Sequence, residues 1–98
     1  FVQFLDGDCE LEQGWLGIAL DVMKHEPSVA VVSGRRVEKF PQRSIYNALM
    51  DIEWSAPPGD VKAVLGDMLV RTRVFSEVGG FNDKVMAAED DDLCIRIR

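Results

Sequence analysis

Three short apolar runs, each ending in a break, set the limits on how this chain can fold. Phe1-Val2-Gln3-Phe4-Leu5 stops at Asp6-Gly7, Val29-Ala30-Val31-Val32 stops at Ser33-Gly34, and Asp67-Met68-Leu69-Val70-Arg71 gives way to a helical pattern. Runs this short, rich in β-branched and aromatic residues, read as buried strands. Between the first two, Leu16, Ala19, Leu20 and Met23 recur at i, i+3, i+4 and i+7, with Trp15 and Val22 alongside. That spacing predicts an amphipathic helix within Leu11 to His25, ended by Pro27. Ser44 is placed to cap a second helix through Trp54, with Ile45, Leu49 and Ile52, together with Tyr46 and Met50, on its apolar side. Pro57-Pro58-Gly59 breaks it. A short helix over Arg73 to Val78 stops at Gly79-Gly80, Phe81-Asn82-Asp83 forms a turn, and a last helix occupies Glu89 to Arg98. Strands alternating with helices predict a single α/β domain over residues 1–98, with a parallel or mixed sheet flanked by helices.

Composition narrows the function classes. The chain has 98 residues, 47% of them apolar and 29% charged, which suits one small globular domain or part of one. Its net charge of −6 argues against nucleic-acid binding and against docking on anionic lipid, both of which need a basic surface. An acidic protein that handles a phosphate ligand needs a cation as intermediary. Cys9 and Cys94 have no C-x-x-C pairing and read as reduced thiols, which points to a cytoplasmic setting. No stretch of roughly 18 apolar residues is available to span a membrane. Phe1 opens the chain inside an apolar run, so the first strand is expected to have lost neighbours on one side.

Two acidic knots carry the chemistry. Asp6-Gly7-Asp8 follows the first strand, where α/β sheets place their ligands. Two carboxylates on a tight turn suit a hard divalent cation, and Mg²⁺ takes one or two carboxylates plus phosphate oxygens and water. An Asp-Gly turn whose side chains cap the next helix accounts for the same residues without a ligand. An EF-hand loop is excluded, because Leu11 stands where that loop needs Gly and Gly17 where it needs a bidentate Glu. The second knot, Glu89-Asp90-Asp91-Asp92, opens the last helix. Favourable interaction with the helix dipole explains acids there. Four consecutive acids also repel one another and raise one another's proton affinity, which suits a general base.

Taken in order, these residues resemble the family-2 glycosyltransferases, which have the nucleotide-sugar-binding GT-A fold. The matching pieces are Phe4-Leu5-Asp6-Gly7-Asp8 with Trp15-Leu16 downstream, Gly66 with Val70-Arg71, Val78-Gly79-Gly80-Phe81-Asn82, and Glu89-Asp90-Asp91-Asp92-Leu93 with Arg96. They look like that family's Asp-x-Asp motif, its Gly-containing strand, its Gly-Phe-(Asp/Asn) turn and its Glu-Asp-x-Asp-Leu-x-x-Arg helix.

The resemblance implies an inverting transfer of sugar from a nucleotide-diphospho-sugar to a hydroxyl of a sugar, lipid-linked or polysaccharide acceptor, with Mn²⁺ or Mg²⁺. By this likeness Asp8 would contact the metal. Asp6 would bind ribose or reach the metal through water, and Gly66 would admit the donor sugar; Asp67, standing where the family often has a small or apolar residue, departs from the pattern and is grouped with Gly66 on the substrate side. Asp90 would be the catalytic base, with Glu89 next to it, and Asp92 and Arg96 a structural pair. The family's first strands, which hold the nucleotide base, have no counterpart here, so the 98 residues alone are expected to be inactive. The likeness also allows a place at the inner face of a membrane in the full-length protein. Arg35, Arg36 and His25 read as surface residues, and Trp54 and Tyr46 as core or interface. The alternative reading is a non-catalytic domain that self-associates as a homodimer through an exposed sheet edge.

Overall fold

The computed structural model describes residues 1–64 and 66–98. Three strands, β1 (Val2–Phe4), β2 (Val31–Ser33) and β3 (Met68–Val70), form one sheet in the order β1-β3-β2. Four helices accompany it: α1 (Trp15–His25), α2 (Ile45–Glu53), α3 (Thr72–Glu77) and α4 (Glu89–Ile97).

β3 organises the core because it is buried on both faces. Side chains alternate across a strand, so Met68 and Val70 point to one side and Leu69 to the other. Met68 and Val70 pack with Val64, Leu93 and Cys94, against Phe4, Val31, Phe75 and Ile97. Leu69 packs with Ala19 and Met23 of α1, against Trp15, Leu20, Val29 and Val32. The layers are therefore α1, sheet, and α3 with α4. On the α4 side Phe4, Phe75 and Phe81 meet edge-on or tilted, with ring centroids 5.1 to 5.6 Å apart. Arg71, just past β3, donates to the carbonyls of Met23, Glu26 and Val29, closing the C-terminal end of α1 onto the start of β2.

The expectation of a parallel or mixed sheet is corrected: both pairings are antiparallel, with Phe4 and Ser33 both opposite Met68. The reason lies in α2. A parallel return needs a crossover helix lying on the sheet. α2 buries none of its residues and is tied instead to the segment after β2 by Asp51, which accepts from the Glu38 backbone N–H at 3.0 Å. The chain re-enters the sheet from the end it left, and β3 must run opposite to both neighbours. β1 and β2 are consequently the edge strands.

Two helix expectations also change. The first helix starts at Trp15 rather than Leu11, with Gly14 in the left-handed region at φ 90° serving as its N-cap. α2 is capped by Ser44 as expected, its hydroxyl accepting from Asn47 N–H at 3.2 Å. Its apolar side, however, faces away from the core: Ile45, Tyr46, Leu49 and Ile52 are exposed. The Gly79-Gly80 stop holds, both residues at positive φ, and Arg96 donates to the Val78 and Gly80 carbonyls at 2.8 and 2.7 Å while pairing with Asp92, which docks α4 on that turn. No helix among the described residues is long and apolar enough to cross a membrane.

Leu93 is fully buried between α4 and β3, so Leu93→Ala is expected to lower unfolding stability by about 2–5 kcal/mol. Met86→Ala, at a fully exposed position, is expected to change it by less than about 0.5 kcal/mol. Urea denaturation of both variants checks the ranking.

Candidate functional site

The register of the sheet decides which charged residues meet. Phe4 and Ser33 flank Met68, so the residues just past β1 and β2 and the residues just before β3 lie at one end of the sheet. Asp6 follows β1, Arg36 follows β2, and Gly66-Asp67 precedes β3. Four elements of the chain, far apart in sequence, contribute to that end once α4 is included.

The Asp6 backbone carbonyl accepts from the Cys9 backbone N–H at 3.0 Å, closing a turn that carries Gly7 and Asp8 at its tip. The Asp6 carboxylate lies directly over Gly66: a Cβ at that position would stand 2.7 Å from Asp6 Cγ. Gly66 thus leaves room for the Asp6 carboxylate to reach Arg36. Arg36 binds the same carboxylate, its Nη2 lying 2.9 Å from Asp6 Oδ2 and 3.4 Å from Asp67 Oδ1. The guanidinium stacks over Trp54 at 5.3 Å from the ring centroid. The Arg36 side chain is only 16% exposed while that of Asp6 is 47% exposed. Ion pairs with one exposed member contribute about 0–1 kcal/mol. The contact therefore orients Asp6 more than it stabilises the fold.

Asp90 joins the group electrostatically. Partial burial pushes its carboxyl above the ordinary aspartate value, helped by the negative charges of Glu89 and Asp6, while Arg36 pulls the other way. Asp67 is also pushed up, by burial first, against the opposing pull of Arg36. The Cys9 thiol is raised, chiefly by burial, and lies 3.7 Å from Asp8 Oδ1 as a donor. Carboxylates of Asp6 and Asp67 thus share one guanidinium, and Asp90 lies near enough for its proton affinity to respond to Arg36 and Asp6. The surplus negative charge favours a cation.

Ligating atoms of Asp6, Asp8 and Cys9 all lie within 4.8 Å of one another. The donor set fits a hard divalent ion through Asp8, whose carboxylate is exposed and bound by no cationic side chain among the described residues. Asp6 has one oxygen on Arg36, leaving it suited to a contact through water. Cys9, held protonated, is a poor ligand for such an ion.

Of the residues singled out by sequence, Asp6, Asp8, Gly66 and Asp67 stand together, and Asp90 is within electrostatic reach of Asp6. Glu89 is exposed at the start of α4 and acts on Asp90. His25 and Arg35 are exposed as expected. Arg36 is the correction: instead of a solvated surface position it is the cation shared by Asp6 and Asp67. Trp54 is its stacking partner, and Tyr46 is exposed, which removes the core half of the core-or-interface expectation. A signal for Arg36 was present in the sequence, since it follows the second strand just as Asp6 follows the first.

Comparison with protein-family models, with curated proteins and with solved structures finds no match for this chain.

Two outcomes follow from this geometry. Gly66→Ala is expected to push the Asp6 carboxylate aside from Arg36 at a cost of no more than about 1 kcal/mol, because the atoms in the way are the far end of a half-exposed side chain. In an Asp6→Ala background most of that cost should vanish, and a thermal-unfolding double-mutant cycle measures the coupling. For Asp90, a native value above the unfolded value of about 3.9 means the folded state holds the proton more tightly. Asp90 therefore favours folding as pH falls through its native value, and its ionised form is a cost above it. Asp90→Asn is expected to raise stability near pH 7 and to flatten the pH dependence from there down to about 4. Urea titrations across that range report it, and a loss of stability at neutral pH in the variant would contradict the assignment.

Proposed function

We propose that this chain carries the metal-side and base-side residues of an inverting glycosyltransferase of GT-A type, using a nucleotide-diphospho-sugar donor and Mn²⁺ or Mg²⁺. The observation that supports this reading is that Asp6, Gly66 and Asp67 meet at one end of the sheet, near enough to Asp90, at the far end of the sequence, for the Asp6 charge to raise the proton affinity of Asp90. The order of motifs in the sequence supports it independently.

In this reading Asp8 would hold the cation on the side of the donor diphosphate. When bound, that cation would supply positive charge against the negative charge that grows on the departing diphosphate. Arg36 fixes the Asp6 carboxylate, and Trp54 packs against Arg36, so Asp6 is held in one orientation, where it would meet the ribose or reach the cation through water. Asp90 accepts the proton of the acceptor hydroxyl as that oxygen forms its bond to the anomeric carbon. The bond from the anomeric carbon to the diphosphate oxygen breaks, and its electron pair leaves with the nucleoside diphosphate. One base and one displacement give inversion. The raised proton affinity of Asp90 matches this task, because a base nearer neutrality removes a hydroxyl proton more effectively. Glu89 sets part of that affinity and faces solvent beside it, where an acceptor arrives.

Inorganic pyrophosphate tests the reading without requiring a pocket for the nucleotide base. Calorimetric titration is expected to show pyrophosphate binding in the presence of Mn²⁺ that weakens about tenfold or more without it, and that Asp8→Ala renders metal-independent. Binding indifferent both to Mn²⁺ and to Asp8→Ala would contradict it.

A further inference from the structure

α2 is amphipathic in the wrong sense for a helix that serves its own core. Its inward side carries Asn47 and Asp51, which bond to the segment after β2: Asn47 donates to the Glu38 carboxylate at 3.0 Å and Asp51 accepts from the Glu38 backbone. Its outward side carries Ile45, Tyr46, Leu49 and Ile52, which are 72%, 75%, 52% and 71% exposed. On a helix at 100° per residue these four form one stripe. Scattered exposed apolar residues are ordinary, but a contiguous stripe opposite a bonded polar face marks a contact surface.

We infer that this stripe is the interface between two copies of the chain, paired as antiparallel α2 helices about a two-fold axis. A two-fold contact must be self-complementary, and α2 is. Centring the axis between Ala48 and Leu49 sets Ile45 of one copy opposite Ile52 of the other, and Leu49 against Ala48, where the small side chain lets the helices approach. The same axis sets Arg43 of one copy opposite Trp54 of the other, one residue from Glu53 and within reach of so long a side chain. Arg43 and Glu53 are both exposed, they bracket the apolar stripe at opposite ends, and neither makes an ion pair among the described residues. The acids at the C-terminal end, Asp51 and Glu53, have no basic residue of α2 beside them. A parallel pairing would set like charges together, so the charge pattern selects the antiparallel one.

A membrane fits less well, because the helix contains no basic residue and the chain carries a net charge of −6. The sheet edges offer less than α2 does, since β1 and β2 are three residues each. The four side chains present on the order of 500 Å² per copy, short of the roughly 800 Å² per partner of a tight complex. The expected association is accordingly in the micromolar-to-millimolar range. This inference stands apart from the transferase reading and uses none of its residues.

Sedimentation velocity over a range of protein concentrations tests it. The wild-type chain is expected to dimerise reversibly, and Leu49→Asp to remain monomeric with an unchanged circular dichroism spectrum. Arg43→Glu and Glu53→Arg are each expected to weaken the dimer about tenfold, and the double variant to restore it. A wild-type monomer at every concentration would overturn the inference. So would a dimer indifferent to Leu49→Asp, or a charge exchange that fails to restore association. Flotation of a monomeric wild type with phosphatidylcholine vesicles, lost in Leu49→Asp, would assign the face to lipid instead and equally overturn it.

Discussion

The burial of β3 on both faces is the constraint from which the rest of the structure follows. Met68 and Val70 need cover on one side and Leu69 on the other. α4 and α1 supply it, and β1 and β2 close the strand's two hydrogen-bonding edges. Once β3 is central and antiparallel to both neighbours, its first residues must lie beside the last residues of β1 and β2. The meeting of Asp6, Arg36, Gly66 and Asp67 is a consequence of that register, not of any attraction strong enough to assemble them. The apolar contacts place the charges, and the charges then adjust to one another.

That ordering explains why the acidic end of the sheet is tolerated. Asp67 and Asp90 both pay a desolvation cost, visible as raised proton affinity, and Arg36 offsets part of it for each. A single guanidinium among several carboxylates leaves a surplus of negative charge that a fold selected only for stability has no reason to keep. The same surplus is what a cation and a polar acceptor would use. The proposed transferase chemistry and the α2 contact occupy different parts of the molecule, so one can fail without the other.

Much of this was legible in the sequence, for reasons that differ by element. The three strands were readable as short apolar runs, the first two stopped at Asp6-Gly7 and Ser33-Gly34, and α4 was readable from the acids that open it. Ser44 and the Gly79-Gly80 stop were readable because capping chemistry is local. The direction of β3 was not, since nothing within Met68-Leu69-Val70 records whether the preceding helix lies on the sheet or off it. The outward turn of α2 was missed for a related reason: periodicity shows that a helix has an apolar side, not which way that side faces. The helical pattern was read from Leu11 onward, yet the helix begins only after Gly14 takes positive φ. Arg36 was passed over because an arginine in a polar stretch resembles a solvated one until the strand ends are superposed.

The claim most exposed to test is that Asp6 and Asp90 share one electrostatic environment. Carboxyl-carbon NMR titration of Asp90 measures it directly, in the wild-type chain, in Asp6→Asn and in Arg36→Met. The Asp90 midpoint is expected above the ordinary aspartate value, lower when the Asp6 charge is removed and higher when the Arg36 charge is removed. A midpoint at the ordinary value, unmoved by either substitution, would show that the two acids do not face a common space.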